Sequence, residues 1–167
     1  MMKEVACQPA MAAKNQNRTL VVGLGNPILG DDGVGWQVAE VVQRERPCVE
    51  IDFLALGGLS LMERLIGYQK VIIIDAIQTA SGCTGKVTTI GLQDLPDFSV
   101  GHTTAVHDTS LQTALTLGRE MGACLPENIQ IVAIEAERVY DFSEMLSPAV
   151  AAAVPKAAAA VLALLDG

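Results

Sequence analysis

The sequence predicts an α/β domain, a three-layer sandwich in which a mainly parallel sheet of about five strands carries helices on both faces. Three observations lead there. Short β-branched runs alternate along the chain with amphipathic stretches of helical spacing, the pattern of β–α–β units. One of these runs, Lys70-Val-Ile-Ile-Ile-Asp, is continuously apolar, as a strand covered on both faces requires. The length, 167 residues, suits one domain with a sizeable core and hardly allows two.

In chain order, residues 1–18 are mixed and polar, without period, and read as a flexible leader to a single domain over 19–167. Thr19-Leu-Val-Val-Gly-Leu-Gly is a buried strand closed by glycines. Val34, Val38, Val41 and Val42 follow helical spacing and predict a helix from Gly33 to about Arg46. A second strand is expected over 49–56, closed by Gly57-Gly58, then a short helix over 59–66 with Leu61, Leu65 and Ile66 on one face. After the Lys70 strand, residues 86–90 alternate weakly and suit an edge strand, and a loop of roughly a dozen residues runs from about 95 to 107. Asp108 is the expected N-cap of a helix to about Met121, with Leu111, Ala114, Leu115 and Gly118 on one side. Residues 129–134 form another buried strand. The last helix opens at Ser147-Pro148, an N-cap followed by Pro at N1, and Pro155 is expected to kink or split it.

Composition removes several classes of function. Eleven Lys+Arg against nineteen Asp+Glu give a formal charge of −8, and the isoelectric point near 4.6 argues against nucleic acid or an anionic membrane as partner. Aromatic residues are only 4%, too few for a base-stacking platform. Cys7, Cys48, Cys83 and Cys124 form no CxxC pair and read as reduced thiols, which places the protein in the cytoplasm. The alanine-rich stretch 149–165 carries Pro155 and Lys156 and reads as a packed helix rather than a membrane span. No export signal is evident at the N-terminus. With no large apolar stripe beyond the needs of the core, a monomer is expected.

Ligands of open α/β sheets collect at the carboxyl ends of the strands. Three polar clusters fall there: Gly30-Asp31-Asp32-Gly33 after the first strand, Asp75 at the end of the third, and His107 before a helix. Two carboxylates and an imidazole suit nickel, zinc, manganese or iron better than copper(I). Each has a plainer explanation. Asp31 or Asp32 can cap the helix near Gly33, although capping uses only one of them and the flanking glycines let the chain bend around a ligand; Asp32 is read as functional ahead of capping. Asp75 follows three isoleucines and must be solvated, paired or coordinated to stay charged, or else it caps a loop. Of the two histidines, His107 is preferred over His102, because the positive end of the following helix favours the neutral ring that a metal needs.

Other readings of the first loop fail on particular residues. Gly23-Leu-Gly-Asn-Pro-Ile has Ile28 where a dinucleotide fingerprint needs its third glycine, and no acid ends the second strand. No Walker lysine follows, and no GxSxG elbow is present.

Gly23-Leu-Gly-Asn-Pro-Ile-Leu-Gly-Asp-Asp-Gly-Val-Gly, Gly57-Gly-Leu-Ser, Val71-Ile-Ile-Ile-Asp-Ala and His107-Asp-Thr-Ser-Leu stand in one order along the chain. Together they resemble the maturation endopeptidases of nickel–iron hydrogenases, over about residues 19–165. The resemblance implies an α/β fold with a twisted central sheet. It implies removal of a short C-terminal extension from the hydrogenase large-subunit precursor once nickel is in place, with the nickel supplied by the precursor. By position it puts the three metal-contacting side chains on Asp32, Asp75 and His107, with Asp32 and Asp75 as candidate catalytic carboxylates. Gly57 and Gly58 match a motif tied to precursor recognition, and Leu59 replaces the threonine often found next. Peptidyl-tRNA hydrolases share the opening GLGNP but continue with an Arg-His-Asn element, where this chain has Gly30-Asp31-Asp32-Gly33. Two further functions are compatible with the same residues: a non-enzymatic chaperone of the nickel-loaded subunit, and a metallohydrolase that retains its own metal and acts on a small substrate.

Overall fold

The computed structural model describes residues 18–55, 57–78, 82–94, 110–137 and 142–167. Among these, five strands build one sheet: β1 (Thr19–Leu24), β2 (Glu50–Leu54), β3 (Lys70–Ile77), β4 (Val87–Gly91) and β5 (Asn128–Glu135). They lie in the order β2-β1-β3-β5-β4, parallel throughout except for β4, which runs antiparallel to β5 at the edge. The described helices are α1 (Val34–Glu45), α2 (Gly58–Arg64), α3 (Leu111–Glu120) and α4 (Pro148–Asp166). The predicted α/β sandwich is therefore the observed one.

The uninterrupted apolar run of β3 explains itself in cross-section. Alternate side chains of a strand point to opposite faces. Ile72 and Ile74 join Val21, Val132 and Ile134 in a core covered by α1 and α4. Val71 and Ile73 join Leu20, Val22, Ile131 and Ala133 in a second core covered by α2 and α3. Val34, Val38 and Val42 of α1 are wholly buried, as their spacing predicts. Gly35 lets α1 lie close on the sheet, since a Cβ there would stand 2.2 Å from the Leu24 carbonyl oxygen and 2.5 Å from that of Ile74.

The elements differ from expectation in identifiable ways. Helix α2 stops at Arg64, and Gly67 then turns the chain at φ +87°. Ile66, expected on the packed face, falls in that turn and is 45% exposed. Helix α4 runs on through Pro155, so of the two outcomes expected there, a kink or a split, the split does not occur. Pro155 and Ala151 both lie on its exposed side, so the carbonyl that loses its helical partner is open to water. By length and composition α4 can cross a membrane, yet Val150, Ala153, Ala157, Ala158 and Val161 are buried in the core. Its last turn is held by Lys70, whose Nζ donates to the Leu164 carbonyl, and by a 2.7 Å ion pair between Arg46 and Asp166.

Residues 1–17 of the expected leader lie outside the described residues. Arg18 is tied to the domain: its backbone N–H donates to Gln69 Oε1 at 2.9 Å, and its guanidinium pairs with Glu50 and lies 4.4 Å from the Tyr68 ring centre. Cys48 and Cys83 stand outside any disulfide, whereas Cys124 is disulfide-bonded, which corrects the expectation of four reduced thiols. Wide spacing along the chain argues against CxxC chemistry but does not keep distant cysteines apart in a fold. Cys7 lies outside the described residues.

Candidate functional site

The sheet changes direction between β1 and β3. From β1 the chain crosses to β2 on one side, and β3 then returns to the other side of β1. Such a switch point opens a crevice at the carboxyl ends of the two strands, where ligands of doubly wound sheets bind. The β1–β3 ladder ends with Gly23 opposite Ile74, so Asp75 is the first residue of β3 past its pairing with β1. On its other side Asp75 stays paired with Ala133 of β5. In phase with Ile73 and Ile77, it belongs to the face that α2 and α3 cover, and it is half-buried.

The turn that carries Asp32 starts from the carboxyl end of β1. After β1 the chain turns through residues 25–29 into a 3-10 turn, Gly30–Gly33, that leads into α1. Gly25 sits at φ +125°, and a Cβ there would stand 1.9 Å from the carbonyl oxygen of Asp32, so no other residue fits. Its N–H donates to the Leu54 carbonyl at 3.0 Å, which ties the turn to the end of β2. Asn26 Oδ1 accepts from the Ile28 N–H at 3.2 Å, closing an Asx turn. The Asn26 N–H donates to Asp32 Oδ2 at 2.6 Å. The 3-10 turn packs against β3, so the structure brings the Asp32 turn and the Asp75 strand to one place.

The neighbouring carboxylates Asp31 and Asp32 have separate partners, and neither caps α1, whose N-cap is Gly33. Asp31 is only 3% exposed. Its Oδ1 accepts from the Ser147 N–H at 2.6 Å and its Oδ2 from the Ser147 hydroxyl at 2.8 Å, fixing the start of α4. Ser147 is at the N-cap of α4 as predicted, but its hydroxyl serves Asp31 instead of capping.

Gly57 and Gly58 lie at the carboxyl end of β2, beside the Gly25 turn. Gly58 opens α2 at φ +52°, a conformation that L side chains rarely adopt, and this gives the Gly-Gly pair a local structural reason. His107 and His102 lie outside the described residues, as does Asp108. Helix α3 begins at Leu111 with Ser110 as N-cap, the Ser110 hydroxyl accepting from the Thr113 N–H at 3.2 Å. The cap expected at Asp108 is thus corrected to Ser110: a nearer hydroxyl satisfies the open amide, so His107 is not next to the cap of this helix. Among the described residues no three His, Cys, Asp or Glu side chains gather as a metal group.

Glu135, at the end of β5 and 4% exposed, is a buried carboxylate that the sequence did not single out. The signal was the one that selected Asp75, an apolar run ending in a carboxylate. Its Oε1 accepts from the Cys83 N–H at 3.2 Å. A separate open cavity of about 250 Å³ lies at the other end of the sheet, between α3 and the start of β5, where Gln112, Thr116, Arg119 and Ile129 are among its lining residues. Of the expected site residues that are described, Asp32, Asp75, Gly57 and Gly58, none lines it.

Comparison with known proteins bears on the family and the fold. The sequence model of the family HycI, hydrogenase maturation protease, matches residues 36–164, a span that includes Asp75, Gly57, Gly58 and His107 but starts after Asp32. The hydrogenase expression/formation protein HupD of Rhodobacter capsulatus is 28% identical over 145 residues, covering 84% of this chain and 68% of that protein. HupD of Bradyrhizobium diazoefficiens is 24% identical over 141 residues, covering 83% and 72%. Among solved structures, the hydrogenase maturating endopeptidase HybD from E. coli superposes with a TM-score of 0.73 at 26% identity, covering 89% of this chain and 92% of that one.

Proposed function

The chain belongs to the hydrogenase maturation protease family, a family of peptidases, and from that premise we propose that it removes the C-terminal extension of a nickel-loaded nickel–iron hydrogenase large-subunit precursor. The observation that supports this reading is the convergence of the Asp32 turn and the Asp75 strand on the β1–β3 crevice. Nickel enters as part of the substrate. Asp32, Asp75 and His107 would take up open positions on the precursor's nickel, and Gly57 and Gly58, at the same end of the sheet, would meet the polypeptide near the bond to be cut. Two carboxylate oxygens and a ring nitrogen form a donor set suited to nickel(II).

Held in this way, the scissile carbonyl stays beside the two carboxylates, and proximity supplies much of the rate. One of the pair, Asp32 or Asp75, takes a proton from the attacking water and returns it to the departing amine. Action as a monomer belongs to the same proposal; the disulfide at Cys124 removes the reduced-thiol argument for the cytoplasm.

The test is incubation with purified precursor, with and without nickel, followed by mass spectrometry of the precursor's C-terminus. Loss of one fixed peptide from the nickel-loaded form alone is expected. Equal cleavage without nickel would remove the metal from recognition, and a stable complex with intact precursor would favour a chaperone.

A further inference from the structure

The turn that carries Asp32 is bracketed by a second segment of chain. The Gly30 N–H donates to the Ser143 carbonyl at 2.6 Å, and the Ser143 N–H donates to the Ile28 carbonyl at 3.0 Å. Leu29 and Ser143 thereby form an isolated parallel bridge. Ile28 and Phe142 immediately precede the bridged pair, each on its own segment. Two residues on, Met145 is held by its N–H to Ser143 Oγ at 3.0 Å. Ile28, Phe142 and Met145 are 46%, 83% and 80% exposed. The Asp31 carboxylate on Ser147 anchors the far end of the same bracket.

We propose that this apolar ledge docks an apolar stretch of the precursor polypeptide adjoining the bond that is cleaved; the proposal rests on the reading of the chain as a precursor-processing endopeptidase. Position identifies the occupant. The Asp32 N–H donates to the Leu29 carbonyl at 3.3 Å, so the ledge and the candidate carboxylate stand on one turn. Whatever covers Ile28 and Phe142 is held beside the crevice. A second copy of this chain in that place would obstruct the crevice, and the net charge of −8 opposes self-association. The side chains suit such a partner, since an exposed aromatic ring anchors and a methionine adapts its shape to irregular apolar surfaces. The backbone bonds fix the ledge in advance, so little ordering cost falls on binding.

The experiment is steady-state cleavage of nickel-loaded precursor by the wild type and by the Phe142→Ser/Met145→Ser double variant. Both side chains are exposed, and the fluorescence of Trp36 under urea checks that the fold is intact. The expected result is a KM raised by about 10-fold or more with kcat within about 2-fold. An unchanged KM, with the wild type active, overturns the ledge alone. A wild-type dimer in sedimentation that the variant abolishes without change in KM also overturns it, assigning the ledge to a second copy. A wild type that cuts no precursor overturns the endopeptidase reading itself, and the ledge's role with it.

Discussion

Asp31 and Asp32 are adjacent, share a charge and sit in one turn, yet the structure gives them different work. Asp31 is buried and supplies both oxygens to Ser147. Replacement by Ala leaves the Ser147 N–H without its acceptor, a loss of about 1–3 kcal/mol for a buried bond to a charged group. Urea unfolding followed by Trp36, the chain's single tryptophan, should register that loss, and an unchanged midpoint would refute the anchoring role. Asp32→Asn is the contrasting case. The amide oxygen of Asn can still accept from the Asn26 N–H, so stability should stay within about 0.5 kcal/mol of wild type. The charge that would meet the precursor's nickel is gone. Loss of an outer-sphere partner costs about 10–100-fold in metal affinity or activity, so loss of a direct ligand should reduce processing by at least about 100-fold. Normal cleavage by Asp32→Asn, read by mass spectrometry, would end the assignment. Sequence reasoning could single out Asp32 as the functional carboxylate but offered Asp31 no work beyond capping the next helix, which it does not do. The answer lies with Ser147, more than a hundred residues away, and no local pattern carries such a contact.

At the level of elements, the turn between β1 and α1 is specified by close approach. A Cβ on Gly25 would strike the Asp32 carbonyl oxygen, in a conformation at φ +125° that L residues avoid. Gly25→Ala should therefore move the whole turn, costing about 1–3 kcal/mol and lowering processing even though residue 25 offers no side chain to the substrate. Urea melts combined with the cleavage assay test both effects; an alanine variant of wild-type stability and activity would show that the turn can relax at no cost. Elements of this kind were legible where a pattern is local. The run before Asp75, the valines of α1 and the Ser147-Pro148 start of α4 announce their structure in a few residues. What escaped depends on packing partners. Ile66 shares the period of Leu61 and Leu65, but the chain leaves the helix before reaching it. At Pro155 the orphaned carbonyl reaches water, which lowers the cost of keeping the helix in one piece, and exposure is a property of the assembled layers. The cap of α3 fell to Ser110 rather than Asp108, two good capping residues two positions apart, between which sequence offers no choice.

On the scale of the whole molecule, the two cores on opposite faces of one sheet make the layers interdependent, while the β2 edge carries the charges. Glu50 and Asp52 of β2 pair with Arg18 and Arg64 at 2.9 and 2.6 Å, dressing an edge strand with ionic groups that discourage pairing with another chain. These pairs are exposed to solvent, so salt screens them and each contributes little to stability. Tyr68, beside this edge, is different. Burial pushes its hydroxyl above the ordinary value of 10, the negative charge of Glu50 adds to the rise, and Arg18 opposes it. The sign of the consequence follows from proton binding: the folded chain retains the Tyr68 proton after the unfolded chain has released its own. The stabilising contribution is therefore complete below pH 10 and declines as the pH rises above 10 toward the folded-state value. Tyr68→Phe has no proton to lose. At pH 8 it should cost only the hydrogen bond from Arg18 Nη2, 3.2 Å long, worth about 0.5–1.5 kcal/mol. Between pH 10 and 11 its stability should fall less steeply than that of the wild type. Urea midpoints at pH 8, 10 and 11, read through Trp36 packed edge-on to Phe53 at 5.6 Å, separate the outcomes, and parallel declines in the two proteins would show that Tyr68 ionises alike in the folded and unfolded chains.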